Sequence, residues 1–163
     1  MKGFGSSNKK LRTLKNLSKE QFLNTAIKLH SEGNIELASK YYRYCIDNGI
    51  HDQRVFVNFG VILRDSGNLR DAEIILRKLI SIDPSSVVAY SNLSGILREL
   101  GQLKDAEAFL RKSLEIAPNN FNSLYNLGCL LIDQKKYKDA VLILEKSITL
   151  KLTNSDAYLN LGI

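Results

Sequence analysis

Residues 90–120 read Y-S-N-L-S-G-I-L-R-E-L-G-Q-L-K-D-A-E-A-F-L-R-K-S-L-E-I-A-P-N-N, and the same order of residue types returns 34 positions to either side. Upstream, residues 56–84 read F-V-N-F-G-V-I-L-R-D-S-G-N-L-R-D-A-E-I-I-L-R-K-L-I-S-I-D-P. Downstream the pattern resumes at Leu124 with L-Y-N-L-G-C-L-L and continues through Ala140. Apolar residues recur at helical rather than alternating spacing, and glycines or Asn-Gly pairs interrupt them about every half repeat. Each repeat therefore reads as two helices joined by a tight turn. A unit of this size cannot bury its apolar face alone and has to stack on its neighbours.

Taking Gly33, Gly67 and Gly101 as the turns within pairs, the units run 19–52, 53–86, 87–120 and 121–154, and a partial fifth occupies 155–163. Superposed, they form columns of one residue type. Ala38, Ala72, Ala106 and Ala140 stand where the second helix lies against the first, and only a small side chain permits that approach. The facing column on the first helix is Ala26, Gly60, Ser94, Gly128 and Gly162. Large residues fill the space beside them: Phe22, Phe56, Tyr90, Leu124 and Tyr158 in one row, Leu29, Leu63, Leu97 and Leu131 in another, and Tyr42, Leu76, Leu110 and Leu144 in a third.

These columns resemble the tetratricopeptide-repeat family, whose pattern sets an aromatic, then Leu-Gly, then Ala, then Pro at these positions. The resemblance covers 19–163. It implies an all-α, right-handed superhelical solenoid of antiparallel helix pairs, with the first helices lining a concave groove. Pro84 and Pro118 stand where the family closes its second helix, because Pro cannot continue a helix and biases the preceding residue out of one. Two units depart from this pattern. The first ends in Asn48-Gly49, a different helix stop; the fourth has Leu152 in place of Pro and Lys135 in place of the turn glycine. Looser edges with intact helix pairing are expected in both. The fifth unit lacks a second helix, so either the chain continues in a longer protein or this edge docks on a partner, for which a second copy would serve.

The 163 residues are 44% apolar and 25% charged, an ordinary globular balance. The net charge of +6 is local, since Lys2, Lys9, Lys10, Arg12, Lys15 and Lys19 precede the first acid, Glu20, after which 17 basic face 17 acidic residues. Basicity thus belongs to an arm over 1–18, expected to be disordered. Only this arm offers anything to nucleic acid or an anionic membrane, and neither is the expected partner. The arm has no apolar run and fails as a secretory signal. Cys45 and Cys129 imply no disulfide framework, so a reducing cytoplasm is the expected setting. His30 and His51 form no metal-ligand cluster, and no cofactor is implied. There is no phosphate-cradling glycine loop, no H-E-x-x-H and no nucleophile with a matching histidine, so no catalytic residue is assigned.

On the groove side that the resemblance implies, every unit carries an asparagine: Asn24, Asn58, Asn92, Asn126 and Asn160. Asparagine is a mediocre helix-interior residue, so its recurrence asks for a reason. A primary amide both donates and accepts, and can grip a peptide backbone without reading side chains. The column is similar to the asparagine ladder in the superhelix of O-linked N-acetylglucosamine transferases, which holds an extended substrate chain; equally, the amides could serve local turns or water. Arg64 and Arg98, with Arg54 at the mouth, could fork onto carboxylates, although Asp65 and Glu99 follow them directly and could pair with or screen them. The family's carboxylate-clamp pattern is not matched, because Leu23, Val57, Ser91 and Tyr125 occupy one of its positions; Tyr125 is a candidate for stacking on a ligand. The expected activity is a protein-interaction scaffold that binds an extended or helical peptide. The alternative is the N-terminal, substrate-recruiting part of a larger glycosyltransferase- or sulfotransferase-type enzyme.

Overall fold

The computed structural model describes residues 18–160, with side chains described as far as Leu150. Among these residues there are eight α-helices and no β-strand. The helices are α1 (Lys19–Ser31), α2 (Ile35–Asp47), α3 (Gln53–Asp65), α4 (Leu69–Ile82), α5 (Val87–Glu99), α6 (Leu103–Ile116), α7 (Phe121–Asp133) and α8 (Tyr137–Asn160). The architecture is the expected all-α repeat of antiparallel helix pairs. By internal packing the chain forms two compact units, Met1–Ile62 and Leu63–Ile163, with the boundary inside α3.

In the first unit α1 packs on α2. Ser18, read from the sequence as the end of the arm, is instead the N-cap of α1. Its hydroxyl accepts from Gln21 N at 3.2 Å while its own N–H donates to Gln21 Oε1 at 2.7 Å, a reciprocal capping box. The rest of the expected arm lies outside the described residues. Ala26, Ala38, Tyr42, Cys45 and Phe56 are fully buried, and Phe22 stacks on Tyr44 with ring centroids 4.3 Å apart. The Asn48-Gly49 stop works as expected: Gly49 sits at φ 69° and Ile50 N reaches back to Cys45 O at 2.9 Å.

In the second unit α5 packs on α6 and α7 on α8, and both α4–α5 and α6–α7 are in contact as well. The small columns meet as the sequence requires: Ala72, Ala106, Ala140 and Ser94 are buried. A Cβ added to Gly128 would run into the Leu144 side chain, which would have to shift, so the packing favours glycine there. Among the residues whose side chains are described, the large rows are buried with two exceptions, Leu29 in the first unit and Leu144 here, both half-buried; Tyr158 lies outside them.

The turns explain one of the two departures. Gly67 and Gly101 adopt φ of 79° and 75°, and the residue after each closes the preceding helix by bonding five residues back, Asn68 N to Leu63 O and Gln102 N to Leu97 O, both at 2.8 Å. Lys135 takes the same place at φ 60°, and Lys136 N bonds Leu131 O at 2.8 Å. The bond pattern forces a left-handed residue, and Lys adopts it at a steric cost that Gly does not have.

The fourth unit ends differently from the expectation. A helix break ahead of a fifth unit at Ser155 is not there: α8 runs unbroken for 24 residues. Its counterparts α4 and α6 stop after 14, at Ile82 and Ile116, two residues ahead of Pro84 and Pro118. Leu152 retains its N–H and imposes no ring clash, so nothing ends the helix. Residues 161–163 lie outside the described residues.

Candidate functional site

The second unit carries an open cavity of about 510 Å³ lined by Arg64, Ser91, Asn92, Gly95, Arg98, Glu99, Asn126 and Asp133. α5 contributes five of these at helical spacing, α7 contributes Asn126 and Asp133, and the last turn of α3 contributes Arg64. The chain folds this way because the small columns turn one face of each first helix to its partner. The residues one and two positions off that face are left to line the hollow.

Its walls are joined by bonds that bridge successive repeats. Asn126 Nδ2 donates to Ser91 Oγ at 3.1 Å. Arg98 forks onto Asp133, with Nη2 3.2 Å from Oδ1 and Nε on Oδ2. Arg64 forks onto its neighbour Asp65 at 2.8 and 3.1 Å and lies 3.9 Å from Glu99. The sequence set Arg98 beside Glu99; the structure gives it Asp133, one repeat further on. This pairing raises the Arg98 pKa and holds the Asp133 carboxyl below its usual range. Both groups stay charged, and the two arginines are balanced by carboxylates rather than offered to an acidic terminus.

Three asparagines of the column are anchored by Nδ2: Asn58 on the Tyr42 hydroxyl at 3.1 Å, Asn92 on Val88 O at 2.9 Å and Asn126 on Ser91. An amide has two N–H donors and two oxygen lone pairs, so one anchoring bond orients it and leaves capacity to spare. Asn92 and Asn126 line the cavity together. Asn58 belongs to the first unit, where Tyr42 also lies 3.4 Å from His30 Nδ1 and burial pushes its phenol pKa up. Asn24 is exposed on α1. Asn160 is at the end of α8, and its side chain lies outside those described.

The remaining candidates do not join the cavity. Arg54 is bound in the first unit to Asp52, at 2.8 Å. Tyr125 is 50% exposed and stacks on Phe121 with centroids 6.1 Å apart, away from the cavity lining. Burial pushes the Cys45 thiol up to about 11, which suits an inert core residue. The sequence reading missed Asp133, Glu99 and Gly95 as lining residues. Asp133 stands 35 positions after Arg98, an offset of one repeat plus one residue that the register could have supplied. Gly95 is the lone glycine in a column otherwise filled by Ile27, Val61 and Cys129.

No cluster of three metal-ligating side chains exists among the described residues, and no helix among them is long and apolar enough to cross a membrane. Family models described as tetratricopeptide repeat match residues 53–86 and 85–153. No curated protein sequence matches the chain. Among solved structures it is similar to MamA (41-end) from Desulfovibrio magneticus RS-1, at 19% identity over 91% of this chain and 88% of that one, with a TM-score of 0.75. TTC0263, a thermophilic TPR protein of Thermus thermophilus, is similar at 15% identity over 89% and 84%, with a TM-score of 0.71. At these identities the likeness speaks for the fold.

Proposed function

The chain belongs to the tetratricopeptide-repeat family, and on that basis we propose that it is a protein-interaction scaffold holding an extended peptide segment along the hollow of its second unit. The observation that carries this reading is the shared cavity under Asn92 and Asn126, two oriented amides on successive first helices. Packed helices lie about 8–10 Å apart and an extended chain advances about 3.3 Å per residue, so one amide meets roughly every third peptide unit. Charge-balanced walls leave backbone amides, rather than a charged terminus, as the group to be held. Panning a phage-displayed library of random 12-residue peptides on the protein should yield binders. Asn92→Ala with Asn126→Ala should weaken the best of them by roughly ten- to thirtyfold, about 1 kcal/mol per lost bond, with a loss of stability no larger than the Asn126–Ser91 bond, about 1 kcal/mol, accounts for. Equal binding by a stably folded double variant would sink the ladder.

A second reading rests on the α7–α8 face. Tyr125, Ile132, Tyr137, Val141 and Ile148 are all exposed there, and the buried Ser147 hydroxyl has no hydrogen-bond partner. We infer self-association of two copies through this face, since an apolar patch can meet its own copy without like-charge repulsion. Light scattering after size exclusion should give a dimer mass that Val141→Glu with Ile148→Glu reduces to a monomer. A monomeric parent at high micromolar concentration dismisses this reading.

A further inference from the structure

Gly95 is a helix-interior glycine with no structural reason to be one. It sits in the middle of α5 without positive φ, and a Cβ built on it would meet nothing within 4 Å. Gly128, by contrast, packs against Leu144, and Gly101 takes a positive φ in its turn. Glycine in a helix interior costs stability relative to alanine, so the missing side chain at 95 is a standing loss that the fold does not require. What it leaves is space. Gly95 lines the 510 Å³ hollow and also a second cavity of about 30 Å³ lined by Ser94, Arg98, Leu110, Asn126 and Leu130. Asn92 lies one turn before it and Asn126 across from it on the hollow's wall. The Arg98–Asp133 pair and the Arg64–Glu99 approach flank it with cancelling charges.

We propose that Gly95 is the specificity-determining residue of the hollow. It opens a pit that receives one small, uncharged side chain of an extended peptide whose neighbouring residues are also uncharged. This rests on the peptide-binding reading above and deepens it. The amides hold backbone and are indifferent to sequence, whereas the pit fixes the register. A charged side chain there would be flanked by arginines and carboxylates already paired with one another, and a large one would exceed a cavity of roughly the size of a water or a methyl group.

The test uses the same random 12-residue phage library on the whole chain, then fluorescence anisotropy with the best-enriched peptide, labelled, as probe. Enriched peptides should share Gly, Ala or Ser at one aligned position among uncharged neighbours. Gly95→Leu should weaken the probe by about tenfold or more, and Gly95→Ala by less, while both variants melt no lower than the parent. If Gly95→Leu binds the probe as the parent does but Asn92→Ala with Asn126→Ala does not, the pit is refuted and the groove reading stands. Random or charged residues at every aligned position refute the pit as well. If no peptide is enriched, or the asparagine variant also binds unchanged, the groove reading falls and takes this inference with it.

Discussion

The α5–α6 pair and the α7–α8 pair are built from the same pattern, yet their outer faces are chemical opposites. On α5–α6 the face is polar and occupied: Ser91 accepts from Asn126, Arg98 forks onto Asp133, Glu107 receives Lys136 at 3.0 Å, and Leu103 O accepts from Gln134. Ser113 shares a hydrogen bond of 2.6 Å with Ser123. The same positions on α7–α8 are Tyr125, Ile132, Val141, Tyr137 and Ser147. The first four are exposed, and the last is buried without a bond. Repeats of this kind are therefore interchangeable in their cores but not on their faces. A face that meets a neighbour in the same chain uses matched polar groups, which set the register. The α7–α8 face carries exposed apolar groups instead, which favour cover of any matching shape.

Substitutions on either side of this contrast put it to the test. The largest effect is expected inside the covered pair, where Ala106→Glu places an unpaired charge between α5 and α6. A loss of about 3–5 kcal/mol in denaturant unfolding is expected, and a variant as stable as the parent would overturn the assignment of that contact. Glu107→Gln comes next, at about 2 kcal/mol. Arg111 first, then Lys136 and Gln134, hold the Glu107 carboxyl at about 2 against an ordinary 4.5. Because the folded value is the depressed one, this stabilisation is complete above pH 4.5 and fades as the pH falls towards 2. The variant should flatten that part of the pH–stability profile. The equivalent position on α8 is Val141, which has no carboxylate to titrate.

Smaller effects concern the edges. Gly128→Ala should cost about 1 kcal/mol in thermal unfolding, since its Cβ displaces Leu144. Gly95→Ala, at the open position, should instead gain about 0.5–1 kcal/mol. Lys135→Gly should raise stability by about 1 kcal/mol by relieving a left-handed lysine. The smallest change in monomer stability is expected for Val141→Glu, within about 0.5 kcal/mol, because the residue is 54% exposed. A large loss there would mean that the face is covered in the monomer.

Much of this molecule was legible in the residues. The Ala column, the Leu rows and the turn glycines follow from contacts within a repeat, where partners are near in sequence and their spacing repeats. Arg98 shows the limit. Arg64 bonds its sequence neighbour Asp65, as adjacency suggests, but Arg98 turns from its neighbour Glu99 to another helix. Its true partner, Asp133, is brought alongside only when α7 packs by α5. Leu152 is the converse case: its place in the sequence shows a missing stop signal, and the unbroken α8 follows from it only in the structure.

The all-α repeat was legible in the order of residues, because apolar residues at helical spacing within a 34-residue period call for helix pairs that stack to bury them. Which polar groups bond across repeats, and which keep hydrogen-bonding capacity to spare, was settled by the packing of helices in space. Arg64 and Arg98 turned out to be paired, Asn92 and Asn126 oriented with capacity left, and Gly95 open. The Arg64–Asp65 and Asn92–Val88 bonds are local, whereas the Arg98–Asp133 and Asn126–Ser91 bonds depend on distances between helices, which no local pattern encodes.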